Sequence, residues 1–298
     1  MNNKKEIYYK YFEEKLLPFM YPLEEYRLNT VKKLIISSVL MFLAGILSAF
    51  LFIHFCLKNT STLLLLPVFL FLMYFFFIKS IINVMWTGRQ YQKWLTEKVL
   101  PYFFEPVANF KHWFKNNDIK SLLDAGIFGN FDAQEDVECI FGVYNNTNII
   151  VSNTSLTIPV NRTVFKGTVI QLELTESIEN HVVLISKNER KHNRYRQYNP
   201  HIEELNKYLY VFAKNQNNID FINEDFWKII ERFGYLYTAK GLSISYKNNI
   251  FIIAMRQKFP WQFGFIFKSL LKAKNYDDLI ERFTVIFDLV DLLTKQPY

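Results

Sequence analysis

The chain of 298 residues is 50% hydrophobic, 18% aromatic and 21% charged, with 35 Lys and Arg against 28 Asp and Glu for a formal net charge of +7. That balance excludes a disordered chain, a fibrous repeat and a disulfide scaffold. The positive charge is spread too thinly for a dedicated nucleic-acid binder, and Cys56 and Cys139 lie in unrelated surroundings, which fits a reducing compartment.

Residues 1–33 form a cytoplasmic leader with seven Lys or Arg and five Glu. Between Lys33 and Lys58 lie 24 uncharged residues. As a helix rising ~1.5 Å per residue they cover a hydrocarbon core of ~30 Å. A second uncharged stretch of 20 residues separates Lys58 from Lys79. The expectation is a transmembrane hairpin over 34–85, with spans near 34–57 and 62–82. Its loop is too short to carry a domain. Lys32 and Lys33 flank one side and Lys79, Arg89, Lys93 and Lys98 the other, so the positive-inside rule places both termini in the cytoplasm. Trp86 and Trp94, with Tyr21, Tyr26 and Tyr91, stand where amphipathic rings prefer the headgroup region. The membrane-interface candidates are therefore Lys32, Lys33, Lys79, Trp86, Arg89 and Trp94. His54 reads as a neutral interfacial residue, four positions from Lys58.

Residues 86–116 are expected as an amphipathic stalk, with Trp94, Val99, Leu100 and Phe103 on one face and Pro101 and Pro106 ending it. From 117 to 298 the pattern is that of a mainly antiparallel cytoplasmic α+β domain. Short β-branched and aromatic runs predict strands over 138–144, 147–151, 163–174, 181–186 and 208–213. Asn223, followed by Glu224 and Asp225, starts a helix that Gly234 is expected to stop. Leu242, Ile244 and Tyr246 alternate and 250–255 is a continuous apolar run, which predicts a hairpin turning at Asn248 and Asn249. A last helix over 276–293 places Leu279, Phe283, Ile286, Phe287 and Val290 on one face.

No phosphate loop, dinucleotide fingerprint, H-E-x-x-H, C-x-x-C or nucleophile elbow occurs, and no cofactor is implied. His201 and Glu204 form an i, i+3 pair without the further ligands a metal site needs. Asp132, Glu135, Asp136 and Glu138 make the densest carboxylate cluster and read as an exposed acidic loop ahead of the strands. A basic patch, Lys187, Arg190, Lys191, Arg194 and Arg196, reads as a solvated insertion, with docking on anionic headgroups as the functional alternative. Phe259, Trp261, Phe263, Phe265 and Phe267 alternate between lysines, as in a half-buried strand or a segment lying in the membrane interface.

The order of these features, with Glu135-Asp136-Val137-Glu138-Cys139-Ile140-Phe141-Gly142, Val164-Phe165-Lys166-Gly167-Thr168, the block 205–230 and the segment 241–255, resembles a bacterial membrane family catalogued as domain of unknown function 3137. The resemblance implies a bacterial inner-membrane protein with a cytoplasmic domain and carries no catalytic residues with it. The favoured expectation is a binding or scaffold module at the inner membrane face, with the lipid bilayer and a cytoplasmic protein as partners and no nucleic acid. The alternatives are a membrane-bound enzyme acting on a lipid or amphiphile, and an accessory subunit of a membrane complex assembled through Ser37, Ser38, Ala44, Gly45, Ser48 and Ala49.

Overall fold

A computed structural model of the protein describes residues 2–58, 66–105, 108–112, 119–159, 162–189, 195–215, 219–257 and 266–295. The chain divides into two compact units. A helical unit comprises Glu13–Leu95 and Gly264–Asn275, and a sheet unit comprises Met1–Phe12, Thr96–Phe263 and Tyr276–Tyr298.

Helix α1 (Asn2–Tyr11) runs through a π-helical turn, Phe12–Leu16, into α2 (Leu17–Lys58), whose 42 residues correspond to ~63 Å of helix. Among the described residues one helix, Glu6–His54, is long and apolar enough to cross a membrane, and only 6% of its apolar window is buried against protein. Phe42 and Phe50 on it are 68% and 67% exposed. Helix α3 (Leu66–Lys98) also carries bare aromatic rings, among them Phe71, Tyr74, Phe77 and Trp86. Where α2 has small residues, α3 approaches. A Cβ on Gly45 would lie 3.2 Å from the Met73 methyl carbon, and Ser48 Oγ lies 3.6 Å from Met73 Sδ. Further down, the Tyr26 and Trp94 rings meet at 4.9 Å, and Tyr91 lies 5.8 Å from Trp94.

The foot of α2 holds a buried ion pair. The Arg27 guanidinium donates to both Glu24 carboxylate oxygens at 2.8 Å and to the Ile266 carbonyl at 2.8 Å, while the Leu270 amide donates to Glu24 at 2.9 Å. Each partner thus also satisfies a backbone group of the 264–275 segment, as burial of charge requires.

The sheet unit is α+β. Its antiparallel sheet contains β1 (Asn109–His112), β2 (Ala133–Tyr144), β3 (Thr147–Ile158), β4 (Arg162–Ser186), β5 (Arg196–Tyr198), β6 (Leu209–Ala213) and β7 (Gly241–Arg256). The order is β1-β2-β3-β4-β6-β5, with β7 along the opposite edge of β4, since Ile170 pairs with both Val151 and Ile253. Asn145 and Asn146, both left-handed at φ 47° and 58°, make the two-residue turn between β2 and β3.

Two expectations are corrected here. The runs 163–174 and 181–186 are one 25-residue strand, β4, and the hairpin expected at Asn248 is absent because β7 is a single 16-residue strand. Asn248 takes φ 55°, yet it pairs with Ile178 at the point where β4 is itself irregular between Glu173 and His181. A left-handed residue opposite a matching irregularity bends two paired strands together instead of reversing one.

Helix α4 (Leu100–Phe103), α1 and α8 (Asp277–Lys295) supply an aromatic core beside β1 and β2. The Phe104 ring lies 4.1 Å from Phe283 and 5.5 Å from Phe110, with Tyr8 edge-on at 5.7 Å. Tyr9 donates its hydroxyl proton to Asp277, so residues that read as a leader carry core contacts. The face expected on α8 is buried throughout, from Leu279 to Val290.

Short helices α5 (Ile119–Asp124) and α6 (Glu203–Tyr208) precede β2 and β6. Helix α7 (Glu224–Leu236) begins as expected, the Asn223 side-chain oxygen accepting the Phe226 amide at 2.9 Å. It does not stop at Gly234. The chain turns out at Thr238, φ 46°, and the Ala239 amide closes the end on the Gly234 carbonyl at 3.1 Å.

Candidate functional site

The two motif glycines that stand out in the sequence are packing residues. A Cβ on Gly142 would sit 2.2 Å from the Phe110 ring, and one on Gly167 would sit 1.9 Å from the Met255 carbonyl oxygen, inside the β4–β7 ladder. Only glycine permits those approaches.

The acidic cluster is not a loop ahead of the strands, because Glu135, Asp136 and Glu138 belong to β2. Neighbours on a strand point to opposite faces, and Asp136 is engaged by Thr154 Oγ1 at 2.6 Å and Gln134 Nε2 at 2.9 Å. Asp136 is thereby committed to partners within the sheet. It also acts on Cys139, whose thiol is pushed up to about 12 by burial first and by that carboxylate second. Glu204, half of the His201 pair, is held by Lys207 Nζ at 2.7 Å, which raises the lysine. Among the described residues no three metal-ligating side chains come together.

A buried histidine went unmarked in the sequence. His181 Nδ1 lies 2.9 Å from Tyr195 Oη, and Nε2 lies 3.2 Å from the Ala125 carbonyl and 3.0 Å from Ser245 Oγ. A carbonyl can only accept, so its contact places the proton on Nε2 and leaves Nδ1 to accept from the tyrosine. That tautomer has no lone pair directed at Ser245. The ring ties β4, β7 and the turn after α5 together and is not poised as a base for the serine.

A groove of about 580 Å³ lies between α7, the α6–β6 junction, the end of β4 and the start of β7. Its floor and walls are apolar, with Leu209, Trp227, Ile230 and Leu242, and the Tyr208 and Trp227 rings stack at 5.8 Å and 12°. Lys187, Lys207 and Lys240 line it against one carboxylate, Glu231. Helical periodicity places Trp227, Ile230, Glu231 and Gly234 on one face of α7. A Cβ on Gly234 would meet nothing within 4 Å, so this wall is open.

Backbone-directed side chains hold the mouth. Ser186 Oγ donates to the Leu242 carbonyl and accepts the Leu242 amide, both at 2.8 Å, and Asn188 Nδ2 donates to the Lys240 carbonyl at 2.5 Å. The serine hydroxyl at the groove is thereby committed to the strand. Glu189 pairs with Arg256 at 2.9 Å and approaches Gly241 so closely that a Cβ there would lie 2.3 Å from its carboxylate.

No family model matches the chain, and no curated protein matches it. Among solved structures, the crystal structure of the mycobacterial trehalose monomycolate transport factor A, TtfA, is similar at a TM-score of 0.38 and 14% identity, over 63% of this chain and 89% of that one. A likeness that loose establishes no common fold.

Of the basic patch, Lys187 lies at the groove, with its Nζ 5.3 Å from the Tyr210 ring centre, and Arg196 stands exposed on β5. Arg190, Lys191 and Arg194 lie outside the described residues, as do Phe259, Trp261, Phe263 and Phe265 of the aromatic run; Phe267 is exposed. On the helical unit Lys32, Lys33, Lys79, Trp86 and Arg89 are exposed and Trp94 is half-buried against Tyr26 and Tyr91. The groove itself was not legible, because Lys187, Tyr208, Trp227 and Lys240 are far apart in sequence. The visible signal was Gly234, a glycine kept inside an amphipathic helix.

Proposed function

We propose that the protein is a two-pass bacterial inner-membrane protein whose α+β domain is a binding module at the cytoplasmic face. The spans are 34–57 and 62–82, with both termini cytoplasmic and the bilayer as the first partner. The Gly45–Met73 and Tyr26–Trp94 contacts support the hairpin, since they recede along one helix as they advance along the other. The resemblance to domain of unknown function 3137 belongs to the same proposal.

The observation that carries the binding reading is the groove. It joins an apolar floor to a cationic rim, and its serine hydroxyl is already committed to the backbone of β7. A concave, mostly apolar site with a few placed polar groups is built to hold a molecule. A ligand held there would alter the exposed face of α7, where a cytoplasmic protein partner docks. Full-length protein extracted in native lipid particles should retain one defined species at near-stoichiometric ratio, and Gly234→Trp, which fills the groove, should lose it. Equal retention by both proteins, or conversion of the retained species to a product, refutes the reading. For topology, a cysteine replacing Ser61 should react with an impermeant maleimide from outside intact cells, and one replacing Lys295 only after permeabilisation.

The bare aromatic faces of α2 and α3 favour a second reading, an accessory subunit of a membrane complex. Its mark would be a membrane protein retained by full-length protein and by Gly234→Trp alike.

A further inference from the structure

The charge balance of the groove narrows its occupant. Lys187, Lys207 and Lys240 line it against Glu231, a surplus of two positive charges once the Lys187 ammonium swings on its flexible stem from the Tyr210 ring, 5.3 Å away and outside the groove lining. A phosphate monoester carries about −1.5 to −2 at neutral pH and matches that surplus, whereas a single carboxylate does not. Glu204 does not remove Lys207 from the account. Their 2.7 Å contact is exposed on both sides, 54% and 58%, and water weakens such a pair enough for the lysine to exchange it for a stronger anion. Ammonium groups on flexible stems suit a phosphate as converging point charges.

Below the rim, the faces of the stacked Tyr208 and Trp227 rings, with Ile230 and Leu242, offer mainly apolar surface and so select for an apolar body attached to the charged head. A volume of about 580 Å³ falls within the ~300–1,000 Å³ of sites that hold one small molecule. The open wall at Gly234 leaves room along α7 for that body. In the two-pass reading proposed above, the helix long and apolar enough to cross a membrane tethers the domain that carries the groove to a bilayer.

We infer that the groove binds a single-chain lipid with a phosphate-monoester head, its chain lying against Trp227 and Ile230 and its head between Lys187, Lys207 and Lys240. This rests on the binding-module reading above.

The test uses full-length protein in lipid nanodiscs, with photoactivatable dodecyl phosphate and the matching dodecanol as probes and the crosslinked peptides mapped. Dodecyl phosphate should label the peptides carrying Trp227 and Tyr235 at least tenfold more than the alcohol. Lys187→Gln with Lys240→Gln should erase that preference, Gly234→Trp should abolish labelling by both probes, and Lys228→Gln, an exposed change on α7 outside the groove lining, should leave it intact as the folding control. Equal groove labelling by both probes overturns the phosphate inference while the binding module stands. Competition by inorganic phosphate as effective as by unlabelled dodecyl phosphate also overturns it, because the apolar body would then contribute nothing. Absence of any label from the groove sinks both readings.

Discussion

The Lys240 amide donates to the Arg256 carbonyl at 2.9 Å, which brings the residue before β7 alongside the last residue of that same strand. This closure follows from the shared bend of β4 and β7 at Ile178 and Asn248. It is also why the groove exists. The returning end of β7 places Arg256 against Glu189 and the Val164 carbonyl, and Glu189 stands against Gly241, so the strand that presents Lys240 and Leu242 starts from a braced corner.

The bend depends on close contact between the two strands, and Gly167 is where that contact is tightest. With a Cβ 1.9 Å from the Met255 oxygen, Gly167→Ala forces backbone against backbone. We expect a loss of about 3 kcal/mol or more, or ~6–12 °C in the thermal midpoint, followed by near-ultraviolet circular dichroism. Gly241→Ala makes a useful contrast because its Cβ meets only the far end of Glu189, and it should cost about 1 kcal/mol. Equal midpoints for both variants would refute the strand-contact account.

Gly234 behaves oppositely. It lies inside α7 with open space at its Cβ and no need for a left-handed backbone. Alanine there removes the entropic penalty of glycine, so Gly234→Ala should stabilise by about 0.5–1 kcal/mol in the same melts. A destabilised variant would mean that the wall is not open.

Local signals carried the ends of elements more reliably than their connections. The Asn223 cap, the buried face of α8 and the paired Asn residues between β2 and β3 are dictated within a few residues, and they are where short-range chemistry puts them. The Asn248 bend failed as a hairpin because the same left-handed asparagine serves a turn or a bend, and the choice is made by β4, a strand distant in sequence. Gly167 was visible as a motif residue, but its reason, the Met255 carbonyl, is a long-range contact. The groove was hidden for the same reason, since its lysines come to line one concavity only once the end of β4, α6 and the start of β7 are assembled against α7.

Cys139 offers a readout of the sheet. Its buried thiol is pushed up to about 12, by burial and then by Asp136. At pH 8 the thiolate fraction is about one in ten thousand, against roughly a quarter for an ordinary thiol near 8.5. In a Cys56→Ser background, alkylation should therefore be at least a thousandfold slower in the native state than in denaturant. Asp136→Asn removes the lesser cause and should speed the native reaction modestly. Fast native labelling would contradict the burial of β2.

The Ser48–Met73 contact tests the hairpin directly. With Oγ and Sδ 3.6 Å apart, cysteines at these two positions lie within the span of a short bifunctional maleimide. Treatment of Ser48→Cys with Met73→Cys in native membranes with that reagent should give an internal crosslink, revealed after cleavage between the helices. Crosslinking between separate chains instead would assign the contact to an oligomer.

The ion pair at the foot of α2 has an asymmetric energetic signature. Arg27→Met leaves Glu24 buried without its cation, which costs about 3–5 kcal/mol for a buried pair. Replacing both, Arg27→Met with Glu24→Leu, removes the stranded charge, yet it is not neutral. The Leu270 amide and the Ile266 carbonyl each lose a side-chain hydrogen bond, and losing such a bond at a buried site costs about 1–3 kcal/mol. The order of stability should be wild type, then the double variant, then Arg27→Met. Tryptic cleavage at Lys268 and Lys272 reads that order, because proteolysis tracks the population in which the segment is released. A double variant cleaved as slowly as wild type would mean that the pair serves only itself. One cleaved faster than Arg27→Met would mean that the carboxylate holds the segment without its arginine.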